Sequence, residues 1–119
     1  MKPRESTIQA KEFQASALKR QLAQFERMIA DLEVIRVELG KQIDGEERRT
    51  GVSDPQNFAY STVARAARER RRNLTATICD LNERRERVEE QIADIDGFFS
   101  ALSNSGDMMD EAARRFAVA

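Results

Sequence analysis

Apolar residues recur along this chain at alternating spacings of three and four. The first series is Ile8, Lys11, Ala15, Leu18, Leu22, Phe25, Ile29, Leu32, Arg36, Leu39 and Ile43; nine of its eleven positions are apolar, where composition alone gives about four. The second is Tyr60, Ala64, Ala67, Arg71, Leu74, Ile78, Leu81, Arg85, Val88, Ile92, Ile95, Phe99 and Leu102, with eleven of thirteen apolar. A three-and-four alternation held this long predicts two helices, each with a coiled-coil seam. The predicted fold is all-α: two long helices forming an antiparallel coiled-coil hairpin, with a short C-terminal helix or disordered tail.

Between the two series lies Arg48-Arg49-Thr50-Gly51-Val52-Ser53-Asp54-Pro55-Gln56-Asn57-Phe58. Gly51 is suited to end a helix in the left-handed conformation, and Asp54-Pro55 favours a turn or a new helix start. The expected bounds are a helix over about 5–48, a turn at 49–59, a helix over about 60–103 and a tail at 104–119. Doubling back at Gly51 pairs residues whose numbers add to about 103. Ile43 then meets Tyr60, Ile29 meets Leu74, Phe25 meets Ile78, Leu22 meets Leu81, Ala15 meets Val88, Ile8 meets Ile95, and Arg36 faces the small Ala67. Lys11, Arg71 and Arg85 lay their stems along the seam and keep their charges wet. On this pairing Phe98, Phe99 and Leu102 end at a sticky terminus. Ser103-Asn104-Ser105-Gly106-Asp107 breaks the helix, and Met108 to Phe116 forms either a short amphipathic helix or a disordered tail.

Composition narrows the chemistry. The 119 residues contain no histidine, so histidine acid–base catalysis and histidine-containing zinc sites are excluded, and the five glycines are too dispersed for a phosphate-binding loop. Charged residues make up 34% and the mean hydropathy is −0.64, with a net charge of −1. That balance fits a thin-cored rod and argues against a generally cationic nucleic-acid binder. No stretch reaches a membrane-spanning length of about 20 apolar residues. The start, Met-Lys-Pro-Arg-Glu-Ser, lacks the apolar core of a secretory signal, and a cytoplasmic protein is expected. The lone Cys79 reads as packed or idle, and Glu46-Glu47 and Glu89-Glu90 read as solvated-face charges. No catalytic, cofactor or metal residues are expected.

Two features remain as candidate binding elements. Arg65, Arg68 and Arg72 belong to a run holding five guanidinium groups over Arg65–Arg72. They serve as surface charges paired at helical spacing or across to Glu33 and Glu38, as a docking patch for an acidic protein surface, or as a nucleic-acid contact, the last disfavoured because no stacking aromatics are interleaved. Phe58 and Tyr60 sit at the turn, either as a staple closing the tip or as an exposed anchor for a partner.

Arg4-Glu5-Ser6, the phrase Gly51-Val52-Ser53-Asp54-Pro55-Gln56-Asn57-Phe58-Ala59-Tyr60 and the following Ala64-Arg65-Ala66-Ala67-Arg68-Glu69-Arg70-Arg71 resemble the FliJ-type flagellar export proteins of alphaproteobacteria, over about residues 1–95. The resemblance implies a non-enzymatic component of the flagellar type III protein export apparatus, without cofactor, at the cytoplasmic face of the flagellar basal body. Its implied partners are the flagellar export ATPase, the cytoplasmic domain of the export gate and export chaperones, with no nucleic acid. Partner contact is expected from Phe58, Tyr60, Arg65, Arg68 and Arg72 at the turn and from Phe98, Phe99 and Leu102 near the other end. The alternative is a generic coiled-coil scaffold or chaperone-like protein-binding module.

Overall fold

The computed structural model describes residues 3–118, with side chains from residue 3 to 104. It contains two helices, α1 (Pro3–Thr50) and α2 (Thr62–Val118), and no strand among the described residues. None of the described helices is long and apolar enough to cross a membrane. Helix α1 opens on Pro3, whose missing N–H is an unpaired donor position at a helix start in any case. The interior of α1 is rich in Ala, Leu, Glu, Gln, Lys and Arg, all strong helix formers, and has no proline.

The chain divides into two compact units, residues 1–22 with 87–119, and Ala23–Glu86. In the Ala23–Glu86 unit the two helices run antiparallel through an eleven-residue connection, 51–61. Every seam position expected from the sequence is buried or half-buried in its unit, and none is exposed. The burial is deepest near the connection, where Leu39, Ile43, Tyr60, Ala64 and Ala67 are all buried.

The partners across the seam differ from those expected. Leu39, Ile43 and Ala67 form one cluster, with Leu74 packed against it. A pairing total near 103 sets Leu74 level with Ile29, ten residues from Leu39 and out of reach; a total near 110 sets Ala67 level with Ile43 and brings Leu74 alongside. The pairings Ile43–Tyr60, Ile29–Leu74, Phe25–Ile78 and Arg36–Ala67 are therefore corrected by one heptad. The connection explains the shift. It runs past Gly51 to Ser61, so the hairpin turns about Pro55 rather than at Gly51. A slip of seven residues returns each seam residue to the same face, so burial is unchanged while every partner changes. The expected pairing of a long side chain with a small residue does occur, at a different place: Arg71 Nη1 lies 3.7 Å from where a Cβ on Gly40 would stand. Arg36 is instead held within α1 by Glu33, at 2.6 Å.

In the other unit Leu18, Val88 and Ile95 are buried, and Ile8, Ala15, Leu22 and Ile92 are half-buried. Lys11 places its Nζ 5.7 Å from the Phe98 ring centroid, a cation–π contact. This contact fits the same total near 110, so within this unit Ala15–Val88 and Ile8–Ile95 move by a heptad as well. The break expected at Ser103–Asp107 is absent, because α2 continues to Val118. Ser, Asn, Asp and Gly each cost a helix only about 1 kcal/mol or less relative to Ala, and a helix already nucleated propagates through them. The amphipathic face expected for Met108–Phe116 lies outside the described side chains.

Two helix-interior glycines are open to improvement. A Cβ at Gly45 meets nothing within 4 Å, and one at Gly40 meets only the end of Arg71 at ordinary contact distance. Gly40→Ala and Gly45→Ala should each stabilise the chain by about 0.5–1 kcal/mol through helix propensity, read as a rise in the thermal midpoint by circular dichroism. Gly51→Ala should do the opposite, since Gly51 has φ 72° and a Cβ there is strained.

Candidate docking site at the hairpin tip

The connection is a chain of short hydrogen-bonded turns rather than a loose loop. Gly51 ends α1 in the left-handed conformation, and its N–H donates to Glu47 O at 2.9 Å, satisfying a last-turn carbonyl. Thr50 Oγ1 donates to Glu46 O at 3.0 Å and accepts from Val52 N at 3.3 Å. Asp54 O accepts from Asn57 N at 3.1 Å while Asp54 Oδ1 accepts from Gln56 N at 3.0 Å, with Pro55 pre-setting the turn between them. Asn57 repeats the device: its O accepts from Tyr60 N at 3.0 Å and its Oδ1 from Ala59 N at 2.9 Å.

This second turn separates the two aromatics. Phe58 stands at its corner, 99% exposed, whereas Tyr60 is 3% exposed. Tyr60 therefore takes the staple position, one of the two roles the sequence left open, and not that of an exposed anchor. Its phenol donates to Glu47 Oε1 at 2.8 Å, and Arg68 Nη1 lies 3.6 Å from the same oxygen. Burial, followed by the bond to Glu47, holds the phenol above its ordinary value of 10.0.

Ser61 caps α2. Its Oγ accepts from Ala64 N at 3.2 Å and donates to Glu46 Oε2 at 2.9 Å, so one hydroxyl satisfies the helix start and ties it to α1. Glu46 also receives Arg49 Nη2 at 2.8 Å. Glu46 and Glu47 are thus structural acceptors joining the helices, not the solvated-face charges their adjacency suggested. Ser61→Ala should cost about 1 kcal/mol or more, within the usual range for a lost cap, measurable by urea titration with the slope unchanged.

The bonds from Arg49 and then Ser61 hold the Glu46 carboxyl below its usual 4.5. A group with a depressed folded pKa adds stability above its unfolded value and loses it as pH falls through the folded one. The thermal midpoint of the native chain should therefore fall more steeply below about pH 4.5 than that of Glu46→Gln. Tyr60 has the opposite sign: its contribution is full below pH 10 and is lost as pH rises through its raised folded value.

The arginines border an open groove of about 660 Å³ walled by Pro55, Gln56, Tyr60, Arg65, Arg68 and Arg72. Arg65 lies 5.6 Å from the Tyr60 ring centroid and donates to Pro55 O at 3.2 Å. Arg72 pairs with Glu69 at 3.0 Å. The across-helix acid paired with this run is Glu47, whereas Glu33 and Glu38 pair within α1 to Arg36 and Lys41. From Arg68 and Arg72 the groove continues along α2 past Arg71 and Thr75 to the exposed Cys79.

The structure thus sets Tyr60, Arg65, Arg68 and Arg72 around one groove, while Phe58 stands exposed on the connection and does not line it. Phe98, Phe99 and Leu102 belong to the other unit and are half-buried there, with Phe98 and Phe99 in an edge-to-face pair at 5.3 Å. Sequence reasoning missed Ser61, Glu46 and Glu47. A serine three residues before Ala64 at the start of an apolar series is the signal that marks such a cap. Among the described residues no group of three or more His, Cys, Asp or Glu side chains is placed to hold a metal ion. No protein-family model, no curated protein and no solved structure matches this chain.

Proposed function

We propose that this chain is a non-enzymatic coiled-coil stalk and adaptor of a flagellar type III export apparatus, working at the cytoplasmic face of the basal body. In this reading the tip, through Phe58 and the groove of Arg65, Arg68 and Arg72, meets the cytoplasmic domain of the export gate. The terminal region, with Ile8, Leu18, Phe98, Phe99 and Leu102, meets the export ATPase ring, and export chaperones are further partners. The observation that carries it is the coincidence of sequence and construction at the tip. The residues that resemble the FliJ family, 51–60 and 64–71, include those that fold the hydrogen-bonded turns of the tip and those, Tyr60, Arg65 and Arg68, that line its groove. A hydrogen-bonded tip that carries an exposed apolar ring and an open groove lined by cations suits a protein surface better than a small substrate.

A coiled-coil stalk can bias a ring's assembly and turnover by contacting its subunits unequally, with no reacting group of its own. The test is to mix the full chain with a flagellar export ATPase and measure oligomerisation and hydrolysis. Both should rise. No change in either defeats the stalk assignment. A generic scaffold or chaperone-like module is the second reading, favoured by the apolar side chains that α1 leaves exposed at Phe13, Val34 and Val37; capture dominated by unrelated helical proteins, with no effect on the ATPase, would support it.

A further inference from the structure

Helix α1 carries a second helical stripe that nothing in the Ala23–Glu86 unit covers. Ala23, Arg27, Ala30, Val34, Val37 and Lys41 repeat the three-and-four spacing on the face opposite the seam, and all six are exposed. Val34 is 64% and Val37 53% exposed. Four of the six are apolar, and the stems of Arg27 and Lys41 can extend the apolar strip while their charges stay wet. A charged face is what a helix needs against water; a stripe of this kind is what it needs against another helix.

The flanks decide which helix. Glu26 and Glu33 border the stripe on one side, and Asp31 and Glu38 border it on the other. Glu33 is occupied by Arg36 and Glu38 loosely by Lys41, at 3.5 Å. Glu26 and Asp31 make no ion pair among the described residues. A second copy of this chain laid symmetrically on the stripe would set carboxylates against carboxylates along both edges, which disfavours self-pairing. We infer that the outer face of α1 between Ala23 and Lys41 docks an amphipathic helix of a partner protein whose edge positions are basic. This site is distinct from the arginine groove at the tip and does not depend on the export assignment.

The test uses the full chain and two synthetic helical peptides about three heptads long, alike in their leucine seams and differing only in lysine or glutamate at the edge positions. Fluorescence anisotropy should show the lysine peptide binding at least about tenfold more tightly at low salt. Val34→Glu with Val37→Glu should abolish that binding without altering helicity, because both positions are exposed. Glu26→Lys with Asp31→Lys should reverse the preference toward the glutamate peptide. Equal binding of the two peptides, or indifference to both pairs of substitutions, overturns the inference. So does a concentration-dependent dimer in sedimentation that the valine substitutions dissolve, since the occupant is then a second copy.

Discussion

Ile43→Ala should lower the stability of the chain by about 3 kcal/mol, within the range for removing a buried branched side chain. Ile43 is 2% exposed and packs in one cluster with Leu39 and Ala67. That cluster has little to rearrange. Ala67 offers only a methyl group, and the helices on either side of it are tied by the Ser61–Glu46 and Tyr60–Glu47 bonds, which resist collapse into the space left behind. A two-helix hairpin also has no second layer to share the loss, so the thermal midpoint should drop by roughly 10 °C or more. Phe25→Ala, at a half-buried seam position, should cost less, since part of its ring already meets water. Chemical denaturation of both variants decides this: equal losses would mean that the seam is packed uniformly and that the cluster near the tip is not its anchor.

Phe58→Ala should leave the fold untouched and remove most of the affinity for the export-gate domain proposed as the tip's partner. A ring that is 99% exposed contributes nothing to folding. Aromatic anchors that become buried at the centre of an interface are among the residues that dominate binding, and loss of one costs about 2–4 kcal/mol, roughly thirty-fold to nearly a thousand-fold in Kd. Arg72→Glu should weaken the same complex in a salt-dependent manner, because its guanidinium is exposed and shared only with Glu69. Tyr60→Phe is the control with the opposite signature. It removes the hydroxyl bonded to Glu47 and should lower stability while sparing affinity. Titration calorimetry alongside thermal melts separates the two aromatics. If Phe58→Ala binds normally, the tip is not the docking surface.

The seam was legible in the sequence because coiled-coil burial is a local periodic property. Each residue's face follows from its position in the heptad, and Leu18, Leu39, Ile78, Val88 and Ile95 are buried as their spacing requires. Gly51 was legible for a similar reason, since few residues other than glycine hold a left-handed helix end cheaply. The partners were not legible. Two registers seven residues apart bury the same side chains, so hydrophobic pattern cannot choose between them; the length of the folded connection does, and that length depends on how Asp54, Asn57 and Ser61 spend their hydrogen bonds. The same gap hid the roles of Glu46 and Glu47, which look like surface charges until the register places Ser61, Tyr60 and Arg68 against them.

By itself, then, the amino-acid order determined two helices, their buried stripes, the place where the first one stops, and the absence of histidine chemistry. Tertiary structure decided which residues meet, that Tyr60 turns inward while Phe58 turns out, and that the arginines line a groove beside a rigid cap. The division follows from range. Periodicity and backbone preference act within a few residues, whereas the ties between the helices at the tip join groups thirteen or more positions apart that only folding brings into contact.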